Sequence, residues 1–249
     1  GFALLVTLLM RYVLMDVTDP ENSKILYILP LTCIFLIPTL HRTIMPERFV
    51  EHYGGGTWFK AAFLHTFTFL ALSFLLVNPP FGDIAAPELA KSWTVIADDG
   101  EEIEYPFDVS TKGTTLTWHT NGSTNLQGDA WLLFGLMDNK NSDGATVNVT
   151  RTYQNSPTTG ELNTSYYIDN LEAIKNGTSS SNDTSPNLTP HGDQDQPFAI
   201  FLGTDLGEGT HDIKVVITED GDPWENVQTY YWTLEIINIS PFDQDSISE

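Results

Sequence analysis

The chain has 249 residues, 33 acidic against 11 basic, for a net charge of −22 with histidine neutral. Five of each sign fall within residues 1–79, so the remaining 28 acidic and 6 basic residues put the whole net charge downstream. A domain so poor in Lys and Arg repels nucleic acid and anionic lipid heads, which excludes nucleic-acid partners and suits salty water and divalent cations.

Cys33 is the only cysteine, so no disulfide forms within the chain. That fits a domain stabilised by its core alone, and with the acidity leans toward a prokaryotic surface, archaeal or marine. The first residue is Gly rather than Met, as in a processed chain or a fragment, which leaves room for helices upstream.

Three apolar runs open the chain and predict three membrane helices, at about 1–15, 25–40 and 61–77, within a membrane domain of residues 1–79. The last two runs fall slightly short of the ~20 residues of an untilted span. Tyr27, Trp58 and Phe59 sit at or beside their ends, as interfacial anchors do. Buried globular helices would read alike, but three such runs in so short a stretch argue against that. Arg11 interrupts the first run and is expected to snorkel outward. Pro30 and Pro38 should kink the second helix, and 54–56 (Gly-Gly-Gly) reads as a connector. His65, with Thr66 and Thr68 nearby, is the candidate intramembrane polar site: a proton or ligand group, or an interfacial residue that reaches a headgroup or carbonyl.

The 41–60 loop holds Arg42, Arg48 and Lys60, whereas the 16–24 loop holds Asp16, Asp19 and Glu21 against Lys24. Positive loops stay cytoplasmic, so the third helix runs outward and everything after it is extracellular, at the plasma membrane. Asn-Pro-Pro-Phe-Gly (78–82) ends that helix, because proline cannot continue its hydrogen-bond ladder. Residues 80–91 read as a linker.

Short alternating runs punctuated by turns then predict strands at 93–97, 103–110, 114–120, 130–137, 145–153, 164–169, 197–203, 211–219 and 227–237. Ile213, Val215 and Ile217 oppose Lys214 and Thr218, the mark of a sheet with one wet side. AWLLFGLM (130–137) is apolar on both parities and reads as a central strand. Such a pattern over residues 92–240 indicates a β-sandwich. Residues 174–196, rich in Ser, Thr, Asn and Pro, are expected to form a disordered glycan-rich loop, and 241–249 an acidic tail.

Gly209 to Asp220 (GTHDIKVVITED), a turn, and then Tyr230 to Ile236 (YYWTLEI) resemble the last two strands of immunoglobulin-like extracellular modules of the PKD type. Leu116-Thr-Trp118 resembles an early strand of the same modules. The likeness covers roughly 45 residues, and the Trp-Asp-Phe-Gly-Asp-Gly type of motif is absent. It implies an immunoglobulin-like sandwich used for adhesion, spacing or partner binding rather than catalysis.

Candidate sites are few. Asn139, Asn141 and Asp143 fit the opening of a calcium loop, with Thr150 where a bidentate Glu should close it, and a hairpin turn accounts for the same residues. Asp98, Asp99, Glu101 and Glu102, and Asp220 with Asp222, are weaker cation candidates at sandwich ends. His119, His191 and His211 are scattered, which disfavours a transition-metal site, and His119 and His211 are expected at the surface. Trp224, in the loop 222–226, is the candidate for sugar or protein contact, with a tryptophan tucked over the sandwich end as the other reading. Sequons at Asn121, Asn148, Asn163, Asn176 and Asn182 are the glycosylation candidates, with Asn187 and Asn238 less suited. No nucleophile elbow or S-x-x-K occurs, so no enzyme is expected and no cofactor beyond calcium.

The expected function is therefore a membrane-anchored cell-surface protein that presents an acidic, glycosylated β-sandwich to membrane or cell-surface protein partners. Alternatives are an accessory subunit of a membrane transport or respiratory complex, and an extracellular hydrolase or glycan-binding protein.

Overall fold

The structure, a computed structural model, describes residues 1–139, 144–178 and 185–239. It divides into two units: residues 1–85 with 221–225, and residues 86–220 with 226–249.

The first unit is helical. Helix α1 (Phe2–Leu9) runs into a π-helical turn (Met10–Leu14) and a 3₁₀ turn (Met15–Val17). Helices α2 (Lys24–Thr32) and α3 (Ile37–Ile44) are joined by a 3₁₀ turn (Cys33–Leu36), which follows Pro30 and precedes Pro38. A short α4 (Glu47–Val50) leads to α5 (Gly55–Leu76). Two runs are long and apolar enough to cross a membrane, Lys24–Ile44 with 21 residues and Gly55–Leu76 with 22. At 1.5 Å per residue each spans about 30 Å, the thickness of a bilayer core. The helix expected at 61–77 starts six residues earlier, at Gly55, which removes its apparent shortfall.

On α5 only His65, Phe69, Ser73 and Leu76 are buried, a stripe three or four residues apart. That stripe meets α1 and the turn after it, where Ala3, Val6 and Met10 join Phe69 in one cluster. The other faces of α5 expose Phe59, Phe63, Leu64, Phe67 and Phe74, a surface that water would not tolerate.

Arg11 does not snorkel. It is 2% exposed, and its Nε donates to the Leu76 carbonyl at 3.0 Å while Nη2 pairs with Asp222 at 2.6 Å. Leu76 ends α5, where the last carbonyls lack intrahelical partners, so Arg11 caps that helix from another segment. Gly82 permits the close turn that follows: a Cβ there would stand 2.6 Å from the Leu76 oxygen.

The second unit is a two-sheet sandwich. Its strands are β1 (Glu88–Asp98), β2 (Ile103–Glu104), β3 (Thr115–His119), β4 (Asn125–Met137), β5 (Thr146–Tyr153), β6 (Ser156–Thr159), β7 (Glu161–Leu162), β8 (Gln196–Gly207), β9 (Gly209–Glu219) and β10 (Asn226–Ile237). One sheet runs β2-β1-β4-β8-β7 and the other β3-β10-β9-β5-β6, with β3 and β10 parallel and the remaining neighbours antiparallel. Between the sheets Trp93 stacks on Trp232 with centroids 4.7 Å apart, and Phe134 meets Trp232 edge-on at 5.6 Å.

β4 is central, flanked by β1 and β8, and both its faces are buried for different reasons. Leu132, Phe134 and Leu136 face the other sheet. Leu133 belongs to a second cluster with Ile96, Ala199, Tyr166, Tyr167, Ile174 and Leu188. Those last four lie outside the sheets. Residues 164–169, expected as a strand, hold helix α6 (Tyr166–Asp169), followed by α7 (Leu171–Asn176). The expected disordered loop 174–196 is corrected at its ends: Ile174 and Leu188 are buried, and residues 192–194 form a 3₁₀ turn, while residues 179–184 lie outside the described residues. A cover of two short helices and an apolar anchor makes both parities of β4 apolar. The expected linker 80–91 is also shortened, since β1 begins at Glu88 and Leu89 packs against the core. The strand expected at 103–110 keeps only its first two residues.

Candidate functional site

A polar cleft of about 590 Å³ opens beside β1 and β3. Lys91 and Ser92 come from β1, Thr115 and Thr117 from β3, and Asp108, Ser110, Thr111 and Lys112 from the intervening segment. The positions are fixed by backbone bonds. Trp93 and Thr111 exchange N–H···O bonds of 3.0 Å, and the Trp93 indole donates to the Gly113 carbonyl at 2.8 Å. Burial of Trp93 in the core thus anchors the far wall. Ser92 Oγ donates to Ser110 Oγ at 3.2 Å across the floor. Two of the six basic residues of the downstream region, Lys91 and Lys112, therefore line one cleft with a single carboxylate, Asp108. Two ammonium groups among hydroxyls suit a ligand rich in hydroxyls and carboxylates, which donates to Ser and Thr and accepts from Lys. The described lining holds no His or Cys and no second carboxylate to pair with Asp108 as acid and base. Sequence reading missed this cleft because its residues are ordinary polar ones scattered over 27 positions and a later loop.

The expected sites fare unevenly. Asn139 is exposed, while Asn141 and Asp143 lie outside the described residues, as does the sequon at Asn182. Asn121, Asn148, Asn163 and Asn176 are all exposed. Asn163 Oδ1 also accepts from the backbone N–H groups of Ser165 and Tyr166, both at 3.1 Å, and so fixes the start of α6. The acidic turn at 98–102 spends two of its four carboxylates locally. Asp98 Oδ1 accepts from Gly100 N at 2.9 Å and its Oδ2 from the Tyr166 hydroxyl at 2.5 Å. Asp99 Oδ1 accepts from the amides of Glu102 at 2.8 Å and Glu101 at 2.9 Å, bonds that hold its pKa below the ordinary carboxylate value.

Trp224 is half-buried: its indole donates to the Met15 carbonyl at 3.0 Å and its ring packs against the helical unit's core. His211 is fully buried rather than at the surface. β9 begins at Gly209, two residues before it, so His211 lies inside the ladder opposite Tyr153, and the two rings stack at 4.3 Å. Its Nε2 lies 2.8 Å from the Gly207 carbonyl, which can only accept, so Nε2 carries the proton. Nδ1 then accepts from Arg151 Nη1 at 2.9 Å. Burial first, and the Arg151 charge after it, push the His211 pKa down despite the Gly207 bond. His119, by contrast, is half-exposed, with Nδ1 3.0 Å from the Ile239 carbonyl.

His65 is 5% exposed, stacked on Phe2 at 5.3 Å, with Nε2 3.4 Å from the Pro30 carbonyl. No protein-family model and no curated protein matches the chain.

Proposed function

We propose that this is a membrane-anchored cell-surface protein whose acidic, N-glycosylated β-sandwich serves interaction or structural roles outside the cell, with the Lys91–Lys112 cleft as its binding surface. The observation that carries the reading is the pairing of two membrane-length apolar helices with a folded β domain, the net charge lying downstream of residue 79. Residues 2–17 supply a third, shorter membrane segment in this reading. The basic 41–60 loop keeps that side cytoplasmic. The sandwich is read as immunoglobulin-like, and the exposed sequon asparagines as glycan sites. Its partners are hydroxyl- and carboxylate-bearing chains, whose charge two lysines attract on an otherwise repelling surface.

A test is protease treatment of intact cells, followed by detection of the C-terminal half. Digestion without membrane lysis supports the reading, and protection until the bilayer is opened refutes it. The ligand class is tested with soluble polyuronate as probe: Lys91→Ala with Lys112→Ala should weaken its binding about tenfold or more, since each charged hydrogen bond is worth roughly 1.5–3 kcal/mol.

A second reading, an accessory subunit of a larger membrane assembly, is favoured by one feature. Phe59, Phe63 and Phe67 form an exposed ladder along α5, with centroids 6.3 and 4.9 Å apart. A ladder of this kind offers a face to a partner helix. Purification from native membranes separates the readings by what travels with the chain.

A further inference from the structure

The two sheets leave four outer strands, and three of them are poor templates for a further strand. β2 and β7 are two residues long, and β6 carries Pro157, which has no N–H to donate. β3 is different: five residues, Thr115–His119, with no proline and no Lys, Arg, Asp or Glu among them. Its one strand neighbour among the described residues is β10.

The parallel ladder sets the direction of its backbone groups. Thr233 N donates to the Thr114 carbonyl at 2.7 Å, and Thr120 N to the Ile237 carbonyl at 3.0 Å. The even-numbered residues of β3 therefore face β10, and the N–H and C=O groups of Thr115, Thr117 and His119 point away from it. Leu116 and Trp118 bury their side chains in the core, which holds the strand in place. Thr115 is exposed, and Thr117 and His119 are half-buried.

Openings of opposite charge flank this edge. The cleft of Lys91 and Lys112 takes in residues 115–117. A second cleft, of about 350 Å³, takes in residues 118–120 together with Asp99, Glu102 and Glu104. Burial first, and then the charges of Glu102 and Asp99, push the Glu104 pKa up, the mark of like charges crowded together. At about 3.3 Å per residue, roughly 13 Å separate the two ends of β3.

We propose that an extended polypeptide segment of a partner protein adds to β3 as an antiparallel strand. A basic residue at its start lies beside Glu102 and Glu104, and an acidic residue four positions later lies beside Lys91 and Lys112. Main-chain bonds to Thr115, Thr117 and His119 supply the affinity, and the charged ends fix direction and register. A second copy of this chain is a poor occupant, since the net negative charge downstream of residue 79 repels its like. Asn121 follows β3 by two residues and so lies outside the paired register. The inference rests on the cleft being a binding surface, as proposed above, and names the chemistry of its partner.

The probe is a fluorescent peptide, Lys-Val-Thr-Val-Glu between Gly-Ser spacers with blocked ends, titrated by anisotropy with the full chain in detergent micelles. N-methylation of its first, third and fifth core residues removes the N–H groups that face β3, and should weaken binding about tenfold or more. N-methylation of the second and fourth leaves those groups in place, and binding should stay within about threefold of the parent peptide. Glu102→Gln with Glu104→Gln should weaken the parent peptide about fivefold without weakening polyuronate. Circular dichroism and a monodisperse elution profile confirm that this variant is folded. Equal loss from the two methylation patterns, or equal binding of the reversed core Glu-Val-Thr-Val-Lys, overturns the proposal. Polyuronate binding through Lys91 and Lys112 with no peptide binding overturns the strand and leaves the cleft reading standing. Binding of neither overturns both.

Discussion

Replacing Arg11 with Met keeps a long unbranched side chain and deletes the guanidinium from a site only 2% exposed. Three acceptors then lose a donor: the carbonyls of Leu76 and Phe81 and the Asp222 carboxylate. They do not lose equally. Asp222 is 58% exposed, so water takes over its solvation and the ion pair itself is worth no more than about 1 kcal/mol. The bond to Phe81, at 3.4 Å, is long and weak. The Leu76 carbonyl is the costly one, since Asn78 caps the Phe74 carbonyl of the same helix end and not this one, which would be left unpaired at about 1–3 kcal/mol. Together these predict a loss of about 2–4 kcal/mol. Equilibrium unfolding of the purified chain in mixed micelles titrated with dodecyl sulfate measures it. Asp222→Asn is the comparison: its amide oxygen still accepts from Arg11, so it should cost less than about 1 kcal/mol. The reasoning is refuted if Arg11→Met lies within about 0.5 kcal/mol of the parent, or if Asp222→Asn matches it.

Further expectations concern the β domain. A Cβ on Gly135 would stand 2.3 Å from the Leu188 carbonyl, so Gly135→Ala should destabilise the domain by about 1–3 kcal/mol in urea unfolding, and a neutral result would mean that Leu188 does not pack on β4. Because burial depresses the His211 pKa, the unfolded chain takes up a proton below about pH 6.5 that the native state refuses. Stability should thus be insensitive to this group above that pH and fall as pH drops below it, and His211→Gln should flatten the fall in the urea midpoint. A soluble fragment starting at residue 86 should be more stable than one starting at 92 by about 1–2 kcal/mol, since the shorter one loses Leu89 packing and the 2.9 Å bond from Leu89 N to the Tyr230 hydroxyl. Equal midpoints would show that β1 stabilises the sandwich only from Ser92 onward.

Strand periodicity carried most of the sandwich, because residues such as Ile213, Val215 and Ile217 alternate against a wet face. It failed wherever a third layer intervened. Tyr166 and Tyr167 looked like strand residues because aromatic side chains favour sheets, yet they form a helical turn fixed by Asn163 and pack on β4. Nothing local in the sequence separates those outcomes. His211 shared the parity of the core and was assigned to the wet edge only because its strand was begun too late. Arg11 was misjudged for a different reason: its partner Asp222 lies more than 200 positions away, as Met15 does from Trp224, beyond the reach of any local pattern. The Lys91–Lys112 cleft was invisible because its lining is ordinary polar residues that only the fold brings together.

The helical unit is discontinuous in sequence, since residues 221–225 complete it after the whole of β1–β9 has intervened. A ribosome that works from the N-terminus delivers Arg11 and the Met15 carbonyl long before Asp222 and Trp224 exist. Until the segment between β9 and β10 emerges, Arg11 has the Leu76 and Phe81 carbonyls as acceptors but not the Asp222 carboxylate. Truncation anywhere before residue 225 leaves that unit unfinished, however intact its helices are.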